Sequence, residues 1–276
     1  MTQQESMIGE HPQEGLFFEW TECRDTECTP LKRHRELIER GEKHRDAIEK
    51  VASWLVTYHL PNGKRELLIR KKKILEKYDF ADYAKSLHVF PNTDKTKKGN
   101  IGEVILTEYL SKSSGISVLI YKLHYNPNVD QSMKGDDVLL TDTKRIIVGE
   151  SKFRSIANKK AVDDAAKTMD TSLALPLSLG FVADRLFDQG LVELAEKIQE
   201  MQLSLGKTSL DIKNVAFLLS RPNVGECVEQ NMSSLNNNFI FLSLGIENPV
   251  DFVEEAFRRA SELLLEVSKN ESEYDG

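Results

Sequence analysis

Apolar positions recur along this 276-residue chain with two periods, one helical and one alternating. Residues 31–59 place Leu37, Ile38, Ile48, Val51, Ala52 and Leu55 near the helical period among Glu, Lys and Arg, which predicts a helix. Pro61, Asn62 and Gly63 break it as a turn. A second helical stretch is expected from residue 66 to about 87. The island Leu16, Phe17, Phe18 and Trp20 fits a short strand or a docking segment. Residues 92–100 read as a polar, Lys-rich loop, and residues 101–110 as a helix. The β-branched run 116–121 predicts a strand. Residues 138–140 and 146–148 predict a hairpin around the polar turn 141–144. Helices are expected over 157–169 and over 184–202, the second interrupted at Gly190. Residues 215–219 and 239–244 predict strands. Asn248 and Pro249 open a last helix over 250–267, with proline in its first turn.

From residue 99 the order is helix, strand, strand, strand, helix, helix, strand, strand, helix. That order predicts an α/β or α+β domain with a mixed central sheet flanked by helices. The expected division is a mostly helical N-terminal region, residues 1–90, and a second domain, residues 91–276.

Composition narrows the class. Hydrophobic residues make up 40% of the chain and charged residues 29%, as in a soluble globular protein. No apolar run reaches the roughly 18 residues of a membrane span. The opening residues carry neither the basic start nor the apolar core of a secretory leader. Three cysteines, Cys23, Cys28 and Cys227, argue against a disulfide framework and for a reducing compartment. A cytoplasmic protein is expected. Cys23 and Cys28 with His34 and His44 match no strong zinc spacing. Gly206, Lys207 and Thr208 echo the end of a phosphate-binding loop, but Met201 stands where that loop needs glycine. The net charge is -7, yet the middle is basic. Lys64, Arg65, Arg70, Lys71, Lys72, Lys73, Lys77, Lys85, Lys95, Lys97 and Lys98 outnumber Glu66, Glu76, Asp79, Asp82 and Asp94. Such a stretch is compatible with a phosphate-facing surface and, more simply, with a solvated helix face.

The candidate chemistry lies in Lys134-Gly135-Asp136-Asp137-Val138 and Val148-Gly149-Glu150-Ser151-Lys152-Phe153. Residues two apart in a strand share a face, so Glu150 and Lys152 project together. If the two runs pair, Asp137 falls near them across the ladder. Two carboxylates and an ammonium then meet at one end of a sheet. Carboxylate oxygens suit Mg²⁺, the ion polarises a phosphoryl oxygen and activates water, and a lysine stabilises the charge that develops.

Gly-x-Asp before an apolar run, a hairpin-length gap, then apolar-Gly-Glu-x-Lys resembles the PD-(D/E)xK nuclease superfamily. The resemblance implies a restriction-endonuclease-like core: a helix, three antiparallel strands, a helix and a further strand. It also implies another metal ligand from the first core helix, which maps to Glu103, with Glu108 as the rival. Asp136 is likewise the rival of Asp137. More narrowly, Gly99-Asn100-Ile101-Gly102-Glu103, Lys134-Gly135-Asp136-Asp137 and Gly149-Glu150-Ser151-Lys152-Phe153-Arg154 resemble the HamA family of Hachiman anti-phage defence, over about residues 90–260. That resemblance implies a bacterial antiviral nuclease that degrades DNA without strong sequence preference, beside a HamB-like helicase. Glu103, Asp137 and Glu150 would hold Mg²⁺, with Mn²⁺ as a substitute, and Lys152 would complete the catalytic set. Lys71, Lys72, Lys73, Lys97, Lys98 and Arg154 would touch the DNA backbone. The N-terminal region would contact the helicase. Two other readings stand beside this one: a non-catalytic adaptor of nuclease fold tethering a helicase to DNA, and a ribonuclease. Whether the chain is an oligomer is left open.

Overall fold

Two strands form in this chain around continuous apolar runs, Val215–Leu219 and Phe239–Leu242: β5 (Asp211–Ser220) and β6 (Phe239–Gly245). Both lie in the middle of a six-stranded sheet in the computed structural model, which describes all residues except 81–87, 134, 168, 170–177, 205–209 and 273–276. The other strands are β1 (Thr21–Asp25), β2 (His34–Glu39), β3 (Val138–Thr141) and β4 (Arg145–Phe153). The order is β1-β2-β6-β5-β4-β3. The four central strands run parallel, and each edge strand is antiparallel to its neighbour. A parallel centre buried on both faces calls for continuous apolar runs rather than alternation.

The helices are α1 (Gln3–Ile8), α2 (Gly15–Trp20), α3 (His44–His59), α4 (Asn62–Lys77), α5 (Asp94–Ser114), α6 (Lys159–Ala166), α7 (Leu179–Asp188), α8 (Val192–Ser204), α9 (Val224–Asn231) and α10 (Pro249–Ser272). They are distributed over two compact units. The first comprises Met1–Ala47, Gly102–Ile120 and Lys134–Val250, and holds the whole sheet. The second comprises Ile48–Ile101, Tyr121–Met133 and Asp251–Gly276. A break at residue 90 coincides with neither unit.

In the first unit, α6 to α9 cover one sheet face. Ile146, Val148, Ala216, Leu218, Phe239 and Phe241 of the strands share a core there with Val162, Leu179, Val182, Leu186, Ile198 and Val228. The part of α5 beyond Gly102 lies on the opposite face, where Leu106 meets Gly149.

Strand β2 overturns the expectation of one helix over residues 31–59; only α3 within that range is a long helix. The misreading has a physical cause. Arg33, His34 and Arg35 are all buried, at 1%, 0% and 1% exposure, so the strand interior is polar. The Arg33 guanidinium donates to the carbonyls of Pro30, Phe239 and Asn236 at 3.1, 2.8 and 2.7 Å. His34 lies 2.6 Å from a Glu229 carboxylate oxygen and 2.8 Å from the Ser243 hydroxyl. Arg35 grips Asp25 with two bonds of 2.6 and 2.8 Å. Tertiary partners thus replace the apolar alternation that would have marked a strand.

Three further expectations change. The Leu16–Trp20 island is helical, with Phe17 and Trp20 buried. Residues 116–121 form no strand: Ile116 gives its carbonyl to Ser111 Oγ and its N–H to Ser114 Oγ, so the end of α5 satisfies it locally. The expected loop 92–100 is mostly helix, because Thr93 Oγ accepts from Thr96 N and starts α5 at Asp94. The sequence reading also missed α9. It did locate the hairpin, the break at Gly190 (φ 78°) and the proline-led final helix. The lysine–threonine pair at 207–208 lies outside the described residues, as does the end of the helix expected to reach residue 87.

Within the second unit, α3, α5 and α10 contribute to an aromatic centre. His59 packs edge-on against Phe90 and Phe257, and burial pushes its pKa down to about 4. It is therefore neutral at pH 7 and accepts from Asn100 Nδ2 at 3.2 Å. Among the described residues no helix is long and apolar enough to cross a membrane.

The Asp25–Arg35 pair gives a prediction. Burial works against the Asp25 carboxylate, but hydrogen bonds from Arg35 and Thr2 outweigh it and hold the group below its ordinary value. A folded pKa below the unfolded one contributes stability above the unfolded value, about 3.9, and loses it as pH falls through the folded value. Asp25→Asn is expected to lower the urea midpoint at pH 7, with the gap to wild type closing as pH is taken below about 3.9. Parallel midpoints across that range would show that the pair is not the source.

Candidate active site

The hairpin turn fixes which residues face each other. Asp142 Oδ1 accepts from the N–H groups of Lys144 and Arg145 at 3.1 and 2.9 Å, and Thr143 adopts φ 70° between them. The resulting register pairs Val138 with Gly149 as the last rung of the β3–β4 ladder. One step further, Asp137 stands opposite Glu150. Strand β4 continues to Phe153, while β3 has not yet begun at that level.

This overhang leaves the N–H of Ser151 without a strand partner on the β3 side. The Asp137 carboxylate takes its place, accepting from Ser151 N at 2.9 Å. Alternation puts Ser151 on the α5 face and turns Glu150 and Lys152 to the other. Lys152 Nζ donates to Glu150 Oε1. Their side chains are 29% and 18% exposed, so both remain open to a ligand from solvent. Asp137, Glu150 and Lys152 are thus brought together at the end of the sheet.

Asp136 is engaged differently. It is buried, at 8% exposure. Its Oδ2 accepts from Ser178 N at 3.0 Å, and its own N–H donates to Ser178 Oγ at 3.1 Å. Gly135 precedes it at φ 107°, a conformation that suits glycine, and a Cβ there would stand 2.9 Å from Ser178 Oγ. Sequence reasoning missed Ser178, which lies 42 positions away in a segment with no motif of its own.

Helix α5 reaches β4 through Gly102. A Cβ at that position would lie 2.1 Å from Ser151 Oγ, so glycine is what permits the approach. Gly102 and Leu106 together define the arc of α5 that faces the strand. At about 100° per residue, Glu103 lies roughly 80° from the centre of that arc and Glu108 roughly 140°. Glu103 is buried and Glu108 half-buried. Among the described residues, no group of three or more His, Cys, Asp or Glu side chains stands close enough to hold a metal. On α5, Glu103 stands nearer the strand than Glu108.

The other expected nucleic-acid contacts are divided between the two units. Arg154 follows the site strand directly and pairs with Asp164 at 3.1 Å. Lys71 and Lys73 are exposed on α4, and Lys72 is half-buried. Lys97 sits 6.0 Å from the Phe257 ring centre, and Lys98 lies 3.8 Å from Asp94. All five lysines belong to the second unit. Burial pushes the Cys23 thiol up to about 11, so it is no nucleophile at neutral pH.

Residues 15–260 match the family model of HamA. Hachiman protein HamA of Bacillus cereus is 53% identical over 268 residues, covering 97% of this chain and 99% of that protein.

The contact between Gly102 and Ser151 can be tested on stability. Ser151 Oγ is buried with no hydrogen-bond partner among the described residues. Leaving a hydroxyl so costs about 1–3 kcal/mol. Ser151→Ala is expected to unfold at the same or a higher denaturant concentration than wild type. Gly102→Ala is expected to be destabilised, and adding Ser151→Ala should recover most of the loss. Additive losses in the double variant would mean that the two residues do not meet.

Proposed function

This chain belongs to the HamA family, and from that premise we propose that it is a metal-dependent nuclease acting in anti-phage defence beside a helicase. The observation that carries the reading is the pairing of Asp137 with the strand that bears Glu150 and Lys152, through the Ser151 N–H. This is the arrangement expected from the PD-(D/E)xK pattern. The similarity to a Hachiman protein supports the defence role and the helicase partner.

The donor set fits a hard divalent cation. Mg²⁺ is held by one or two carboxylates and keeps several waters, and Asp137 and Glu150 offer oxygen alone. Glu103, nearer the strand than Glu108, is the proposed third ligand. When bound, Mg²⁺ supplies polarisation of a phosphoryl oxygen and a water of lowered pKa. Lys152 does the remaining work. Its ammonium stands at the same strand end, where it orients the attacking water and offsets negative charge growing on the phosphate. DNA is the proposed substrate, and contact with the backbone rather than with base edges makes its binding indifferent to sequence. The basic residues Lys71, Lys72, Lys73, Lys97 and Lys98 are proposed to follow that backbone, with Arg154 beside the site.

Cleavage of plasmid and linear duplex DNA is the direct test, run with Mg²⁺ or EDTA and, if the chain alone is silent, with its helicase partner and ATP. Glu150→Gln and Lys152→Ala are each expected to cut at least about 100-fold more slowly with unchanged melting temperature. A variant that cuts at the wild-type rate would move the site elsewhere. Silence in every arm, with no Mg²⁺ binding by calorimetry, would favour an adaptor that keeps the fold without the chemistry. A matched RNA duplex cut faster than DNA would reassign the substrate. Reversing Lys71, Lys72 and Lys73 to Glu should weaken DNA binding and flatten its dependence on salt; an unchanged slope would remove α4 from the DNA path.

A further inference from the structure

We propose that Asp136 is a positioning residue for this site: its two-way clasp with Ser178 fixes the backbone that presents Asp137, tying the start of β3 to the first turn of α7. The proposal rests on the nuclease reading and assigns the first aspartate of the Asp136-Asp137 pair a separate task.

Residues 135–137 precede the first rung of the β3–β4 ladder, so strand pairing does not hold them. The bond from Ser151 N draws on the Asp137 carboxylate itself, the group proposed to take the metal. An anchor that leaves that carboxylate alone has a distinct role, and Asp136 provides one. It uses both its side chain and its N–H, each on Ser178. Ser178 is the residue that precedes α7, yet its hydroxyl does not cap that helix. It accepts from Asp136 N instead. The body it belongs to is fixed: Leu179, Val182, Ala183 and Leu186 of α7 are buried in the same core as Ile146 and Val148 of β4. The clasp therefore closes a circuit from β4 through the core to α7, then to Asp136 and Asp137, and back to β4 at Ser151. Gly135 belongs to the device, because its positive φ and missing Cβ let the chain approach Ser178.

The test compares Asp136→Asn, Asp136→Ala, Ser178→Ala and Asp137→Asn in the full chain, with its helicase partner where cutting requires it. Cleavage rate is read against Mg²⁺ concentration, alongside Mg²⁺ calorimetry and melting temperature. A carboxamide oxygen still accepts from Ser178 N, so Asp136→Asn is expected to cut within about threefold of wild type. Asp136→Ala should need about tenfold more Mg²⁺ for half-maximal rate, as loss of a group orienting a metal ligand does. Ser178→Ala should shift the curve in the same direction. Asp137→Asn should be inactive. Asp136→Asn as inactive as Asp137→Asn would make Asp136 a ligand and overturn the proposal. So would an unchanged Mg²⁺ curve for Ser178→Ala, which decides the matter even if Asp136→Ala does not fold. If wild type itself neither cuts nor binds Mg²⁺, the nuclease reading fails and the positioning role falls with it.

Discussion

A strand that outruns its neighbour must still find acceptors for its N–H groups, and the candidate site is built on that constraint. Strand β4 extends past the last rung it shares with β3. At Ser151 the missing acceptor is supplied by a side chain, Asp137. Buried or half-buried backbone donors are seldom left unpaired, so this bond sets where Asp137 sits relative to Glu150 and Lys152. The four residues Gly149, Glu150, Ser151 and Lys152 then divide their labour by alternation. Gly149 and Ser151 receive α5, through Leu106 and Gly102, while Glu150 and Lys152 face the other way. The strand is held from behind by close packing, which leaves its chemical groups open in front.

Elsewhere the first unit relies on three buried polar side chains in a row that find partners. Arg33, His34 and Arg35 lie in sequence where a sheet would ordinarily bury apolar side chains. Arg33 and His34 are satisfied by groups distant in the chain, carbonyls of the 234–239 segment with Glu229 and Ser243, and Arg35 by Asp25 on the adjacent strand. A hydrogen bond from His34 holds Glu229 below its ordinary carboxylate value. Polar networks of this kind add little net stability over apolar packing, but they penalise every alternative register that would leave a charge unpaired. They make β2 fit one place in the sheet.

The same network explains what could and could not be read from the residues alone. The elements that carry their own signal were legible: the hairpin around Asp142, the apolar β5 and β6, the glycine break after α7, and the helix opened by Pro249. The site strand was legible because Glu150 and Lys152 share a face by local geometry, whatever the rest of the chain does. Strand β2 was not, since its identity depends on partners up to 209 positions away. Nor was the separation of Asp136 from Asp137, which is decided by Ser178. The run 116–121 misled in the opposite sense: β-branched residues favour strands, but two serines at the end of α5 had already taken the hydrogen bonds of Ile116.

The position of β6 has a consequence for the timing of assembly. It lies between β2 and β5, and pairs with both, although β2 is complete by residue 39 and β6 is not finished until residue 245. During synthesis the early hairpin of β1 and β2 must wait with one open edge, and β5 with another, until the strand that joins them leaves the ribosome. At 5–20 residues per second that interval is roughly 10–40 s. Pairings of such long sequence separation form slowly, because loop closure precedes any gain from contact. The sheet that presents Glu150 and Lys152 is therefore completed only when the chain has been made as far as Gly245.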